Sequence, residues 1–345
     1  MPEAKRIIEA CRDIQAFREA QRLVRERGFG SIVGFDDLES LINQNGQPLI
    51  RALSEMYLDF VLHGRKHVYL FEPSDSARST LRSLRPKLDK PELTTDWPWP
   101  PVLSNRLDIP ILVRIETIGD TKHFVFGSHR LATVEERFES DWLSDAAPDY
   151  VRSTEITYKA SKPTYVYDVV AVPKDGPVEV RIAGTTNPTR PKPHEVKTSI
   201  LDRMTLMSSR GVTNDLFAGG LALGECVPKF YKARKEGRIY WLDFSCIASR
   251  AKRRERFSKH KPEDLRKETY HIAGTKAVAD AIEIYGLGVS WELPGGRNAT
   301  LEFHGTPTRM QDGVLTLYEA FVSNLASASE YNFLMERLRK YANGG

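Results

Sequence analysis

Three cysteines in 345 residues are too few and too scattered for a disulfide framework. Cys11, Cys226 and Cys246 are odd in number and far apart, which fits small buried thiols in a reducing compartment. No apolar run approaches the roughly 20 residues of a membrane-spanning helix. The opening residues, MPEAKRIIEACRD, are charged and lack a secretory apolar core. These absences predict a cytoplasmic chain, nuclear if the source is eukaryotic, with no membrane partner.

Signatures of chemistry are equally scarce. AGGLALGECV (218–227) has the glycines of a phosphate loop but neither the Lys nor the hydroxyl that completes one. Cys226, Cys246, His260 and His271 are the only grouped zinc candidates. Their spacing lacks any Cys-x2-Cys or His-x3-His pair, so no metal and no cofactor is expected. Two stretches approach the PD-(D/E)xK nuclease pattern, which needs carboxylates for a divalent cation and a Lys to orient water. In the first, Asp149 and Glu155 are followed by Lys159 two residues too late. In the second, Asp168 precedes Glu179-x-Arg181, with Arg where Lys belongs. There is no Gly-x-Ser-x-Gly elbow. In LEFHG, Glu302 and His304 fall on one side of a strand, as a structural ion pair or an acid–base pair.

What is present is a globular composition, 41% hydrophobic and 28% charged, in a chain long enough for two domains. The predicted fold class is α+β: a helical N-terminal region followed by a mixed domain with a mainly antiparallel sheet. Residues 1–85 read as mainly helical. Apolar positions at three- and four-residue steps predict helices over 2–27, from about Asp36 or Asp37, and over 48–63. HVYLFE reads as a strand and SARSTLRSL as a short helix. Residues 86–110 hold six prolines and both Trp97 and Trp99, and read as a linker. Residues 111–345 form the larger α+β domain. A hairpin turns at Gly119-Asp120, and strands follow in STEITYKA, PTYVYDVVAV and PVEVRIAG. A helix carries Val196, Ile200, Met204 and Met207 on one face. RIYWLDFSC is a strand, TKAVADAIEIYG a helix ending at Gly286, VSWELPGGRNATLEFHG a hairpin, and SASEYNFLMERLRKY a helix.

Charge is the least ordinary feature. From Lys229 to Lys267 there are fourteen Lys or Arg against five Asp or Glu, a local +9 in a chain of net +4. The remainder is therefore net acidic, and such asymmetry speaks of partners rather than fold. The expected binding residues are Lys229, Lys232, Arg234, Lys235, Arg250, Lys252, Arg253, Arg254, Arg256, Lys259 and Lys261. With so few apolar neighbours, the stretch 249–261 reads as a helix held by its ends or as a mobile loop. Basic residues interleaved with Phe230 and Tyr231 suit phosphate contact with some stacking. The expectation is a non-enzymatic nucleic-acid-binding protein, for DNA or RNA, making mainly phosphate-backbone contacts. One alternative is a divalent-metal nuclease or other phosphodiester hydrolase. Another is a scaffold whose basic segment meets an acidic protein partner or a second copy of the chain.

Overall fold

The structure is a computed structural model. It describes residues 3–13, 16–89, 108–138, 156–185, 189–208, 216–217, 219–247, 251–257, 263–278, 281–294, 296–311 and 313–342. The proline-rich stretch with Trp97 and Trp99 lies outside them.

The N-terminal run forms two helices, α1 (Glu3–Asp13) and α2 (Phe17–Glu26), where the spacing predicts one. The Ala16 N–H reaches back five residues to the Cys11 carbonyl at 2.9 Å, which breaks the regular ladder. α3 (Phe35–Asn45) starts where Asp37 accepts the Val33 and Gly34 N–H groups at 2.7 and 2.9 Å. α4 (Gln47–His63) buries Leu49, Leu53, Met56, Tyr57 and Val61 and ends at Gly64. β1 (Lys66–Phe71) then leads to α5 (Asp75–Ser83), capped by the Ser74 hydroxyl.

β2 (Ile111–Ile118) and β3 (Thr121–Phe138) make the predicted hairpin around Gly119, whose φ of 56° suits glycine. STEITYKA and PTYVYDVVAV are not separate strands. Their described part is one strand, β4 (Ile156–Val172), paired with β3 along its whole length. Pro163 is tolerated inside it because β5 (Val178–Ala183) pairs with residues 169–171, so Pro163 sits where β3 is the partner of β4. The short β6 (Thr189–Arg190) pairs β3, and α6 (Pro193–Met207) follows.

Next come α7 (Cys226–Lys232), β7 (Arg238–Cys246), β8 (Lys252–Arg256) and α8 (Thr269–Ala277). The helix expected over 275–286 is corrected: α8 ends at Ala277, and β9 (Ile282–Leu293) begins five residues later. Tyr285, Leu287, Val289, Trp291 and Leu293 enter the core while Gly286, Gly288 and Ser290 alternate with them, a period of two. β10 (Arg297–His304), β11 (Met310–Gln311), β12 (Val314–Leu315), β13 (Ala320–Ser323) and α9 (Ala328–Ala342) complete the described chain.

Ten strands run in the order β2-β3-β4-β5-β1-β13-β10-β9-β7-β8, with β6 attached to β3. Every pairing among the described residues is antiparallel. The protein is α+β as expected, and β1, from the mainly helical N-terminal region, occupies the middle of the sheet. One face carries two cores. α1–α4 pack over β2–β4, and α7 and α9 pack over β1, β13, β10, β9 and β7. The other face carries a third core, where α5 and α6 cover β1–β5. None of the three cores extends over that second face of β13, β10, β9, β7 and β8.

At the seam between the first two cores lies a buried polar cluster. Glu179 and Arg181 are paired at 2.7 Å, Tyr331 donates to Glu179 at 2.8 Å, and Arg339 reaches the same carboxylate. His63 and His123 sit alongside, their ring centroids 6.4 Å apart. The three cysteines are buried and none is in a disulfide, and burial pushes the thiols of Cys11 and Cys226 up to about 12. No described helix is long and apolar enough to cross a membrane.

Candidate nucleic-acid interface

The basic stretch is neither helix nor loop where the structure describes it. Lys252–Arg256 is β8, the terminal strand of the sheet, bonded to β7. An edge strand can be almost wholly polar because one side is held by ladder hydrogen bonds and the other faces solvent. Its charges also keep that edge from pairing with another chain.

Three contacts anchor it. Arg254 forks onto Asp243 through Nε and Nη2, at 2.6 and 2.5 Å. That hydrogen-bonded carboxylate raises the Arg254 guanidinium above its ordinary value. On the opposite side, Glu255 bonds His271 Nδ1 at 2.5 Å, and His271 Nε2 meets the Tyr231 hydroxyl at 2.8 Å. Phe257 packs against the core.

Strand alternation splits the cations. Arg254 and Arg256 stand opposite Asp243 and Trp241, on the face that no described helix covers, and Lys252 shares their side. Arg253 shares the side of Glu255, toward α8. All four of these cations are exposed. Lys232 and Arg234 are exposed on that first side and line a groove of about 690 Å³ with Lys276 and His271. Arg234 also donates to the Arg266 carbonyl at 3.2 Å. Lys235 is exposed as well. Lys229 is half-buried, bonded to the Tyr341 carbonyl at 3.3 Å and paired with Glu225 at 3.4 Å, so it ties α7 to α9. Arg250, Lys259 and Lys261 lie outside the described residues. The cations of β8 therefore occupy two surfaces of one sheet edge.

Sequence reasoning missed the surface beside Arg254 and Arg256. Trp241 lies flat across Gly286 and Gly288 and belongs to none of the three cores. A Cβ at Gly288 would stand 2.0 Å from the indole Nε1. The His304 ring stacks on the indole at 5.3 Å and 21°. Phe321 follows, 6.2 Å from His304 and 4.7 Å from His67. These rings come from four strands spread over more than two hundred residues, so only the sheet order assembles them. Alternation within HVYLFE and EAFVS was the available signal for His67 and Phe321. Gly288→Ala is expected to lift the indole and cost about 1–3 kcal/mol, as overpacking does, read as a lower urea midpoint. An unchanged midpoint would show that the indole does not need the bare strand.

Glu302 and His304 do share a side, 3.0 Å apart. Glu302 is buried and accepts the Tyr240 hydroxyl at 2.5 Å, while His304 is exposed. His67 bonds Glu319 at 2.6 Å, and Tyr69 donates to the same carboxylate. The nuclease-like residues do not converge. Arg130 forks onto Asp168 at 2.5 Å on one face of the sheet, while Glu179 is held by Arg181 on the other. Among the described residues, no three of His, Cys, Asp and Glu are placed to hold a metal.

No protein-family model matches the chain, and no curated protein matches it in sequence.

Proposed function

We propose that the protein binds nucleic acid, chiefly through the phosphate backbone, along β8 and the ring-bearing face beside it. The observation that carries this reading is the exposure of Lys252, Arg253, Arg254 and Arg256 on five consecutive residues of an edge strand. A single charge blunts an edge, and four cations with one acid exceed that need. Lys232, Arg234 and Lys235 extend the field toward α7. Each phosphate neutralised releases condensed counterions and steepens the salt dependence. The His304 and Phe321 rings, on the same sheet face as Arg254 and Arg256, give flat surface for bases, which favours single strands without fixing sequence. Phosphate contacts position a strand and do not read it.

The test is the triple charge reversal Lys252→Glu, Arg253→Glu and Arg256→Glu, leaving Arg254 on its Asp243 partner. Fluorescence anisotropy with a labelled single-stranded oligonucleotide, repeated across salt concentrations, is the readout. The slope of log K against log salt should fall by about two to three units, near 0.7 to 0.9 for each phosphate no longer neutralised. Affinity should drop at least tenfold at low salt. Equal affinity and slope in a variant with wild-type circular dichroism would sink the reading.

A further inference from the structure

A second cationic site lies away from β8. Where α2, the residue before β1, the β9–β10 turn and the end of β13 meet, the surface sinks into a cleft of about 560 Å³. Arg18 and Arg22 of α2, Arg65 and Arg297 all line it. Among the described residues, Glu19 is the one carboxylate on its wall. β8 contributes no residue.

This concentration of charge differs from an ordinary solvated face. Arg65, Arg22 and Arg297 are half-buried, so their mutual repulsion is less screened than between extended surface side chains. For Arg297 the acidic neighbour compensates only in part. Glu330 takes one edge of the Arg297 guanidinium through Nη2 and spends its other oxygen on the Ala326 N–H at 2.7 Å. Arg297 Nε and Nη1 are buried with no acceptor, and the Asn298 side-chain oxygen is buried with no donor. Arg22 meets Glu26 only at 3.8 Å. Burial pulls the Arg65 guanidinium below its ordinary value, opposed by Glu19 and Glu302, and an arginine so placed still stays charged.

The chemistry that answers this arrangement is a multiply charged oxyanion. Guanidinium forks match phosphate oxygens in pairs. The volume falls within the range of small-molecule pockets, larger than bare phosphate requires. The lining also includes Phe321, Asn298 and Asn324. Asn324 has φ 62°, the only left-handed non-glycine residue among those described. Such a conformation costs energy that the surrounding structure must offset, and it recurs at ligand sites.

We propose that this cleft binds a phosphate-bearing small molecule of nucleotide size, its phosphates held by Arg18, Arg22 and Arg65. The charge of Arg297 adds to the field, and Phe321 with the two amides faces the organic part. This inference does not rest on nucleic-acid binding by β8.

Isothermal titration with adenosine diphosphate, pyrophosphate, inorganic phosphate and adenosine tests it. Arg18→Glu with Arg22→Glu alters only α2 positions outside the core. The diphosphate should bind one-to-one with a Kd on the order of 100 µM or tighter, and adenosine should not bind. The α2 variant should weaken binding by about tenfold for each arginine–phosphate bond it removes. The β8 triple variant should bind as the wild type does. Pyrophosphate binding as tightly as the nucleotide would assign the whole site to the phosphates and overturn the nucleotide-size part. No saturable binding of any phosphate compound at millimolar concentration would overturn the proposal. So would equal binding by the α2 variant, or loss of binding in the β8 variant.

Discussion

Glu179→Ala is expected to lower the free energy of unfolding by about 3–5 kcal/mol, the usual result of leaving one charge of a buried pair unpartnered. Glu179 and Arg181 are both buried. Burial by itself would raise the Glu179 carboxyl, but Arg181, Arg339 and the Tyr331 hydroxyl hold it below the usual carboxylate range. Removing it leaves Arg181 with the Leu62 carbonyl at 3.2 Å and the Tyr331 ring at 4.2 Å, which are acceptors for a charge but no counterion. The double variant Glu179→Ala with Arg181→Met should recover much of the loss, because a hydrophobic replacement of the whole pair is often neutral. Urea denaturation of the two variants separates the outcomes. A single variant within about 1 kcal/mol of wild type would mean that the seam is wet and the pair solvated.

Acidification from pH 7 to pH 4 should cost about 3 kcal/mol through His123 alone, from a shift of roughly 2.5 units over that window at 1.36 kcal/mol each. Burial, then the neighbouring Arg181 and His63, pull the His123 ring down to about 3. Burial also lowers His63, against the pull of Asp59. His123 Nδ1 has no hydrogen-bond partner, and His63 Nδ1 stands 3.6 Å from the Asp59 carboxylate. Unfolded, a histidine titrates near 6.5. Between pH 6.5 and 3 the unfolded chain therefore takes protons that the folded one refuses. Stability is whole above pH 6.5 and falls as pH drops through that window. Glu179 adds its own loss below about pH 4.3, since its folded carboxyl is depressed. His123→Phe should flatten the slope between pH 7 and pH 4. The same slope in that variant would remove His123 from the account.

How legible was this molecule in its sequence? Elements whose periodicity matched their environment were readable. α4, α9 and the β2–β3 hairpin fall where apolar spacing and Gly119 place them. β9 was not readable, because Ala277, Ala281 and Ile282 continue a helical rhythm and the glycines that mark the strand's second face look like a helix stop. β4 was divided at Pro163 because its single-sided pairing is a tertiary fact. The candidate site was half legible. The cations are plain in KRRER, but which of them lie together depends on β8 being a strand. The arginine cleft was invisible, since Arg18, Arg65 and Arg297 are ordinary surface residues until three distant elements meet.

β1 bonds β5 on one side and β13 on the other, and His67 lies opposite Phe321. The sheet's two halves therefore join across a strand made early and a strand made about 250 residues later, a pairing of high contact order. At synthesis rates of about 5–20 residues per second, β1 waits roughly 12 to 50 seconds for its second neighbour. Through that interval its outer edge is open to any strand that arrives first. A nascent chain halted anywhere before β13 carries that vacancy with it, which marks the unfinished protein, more than the finished one, as the form that needs a chaperone.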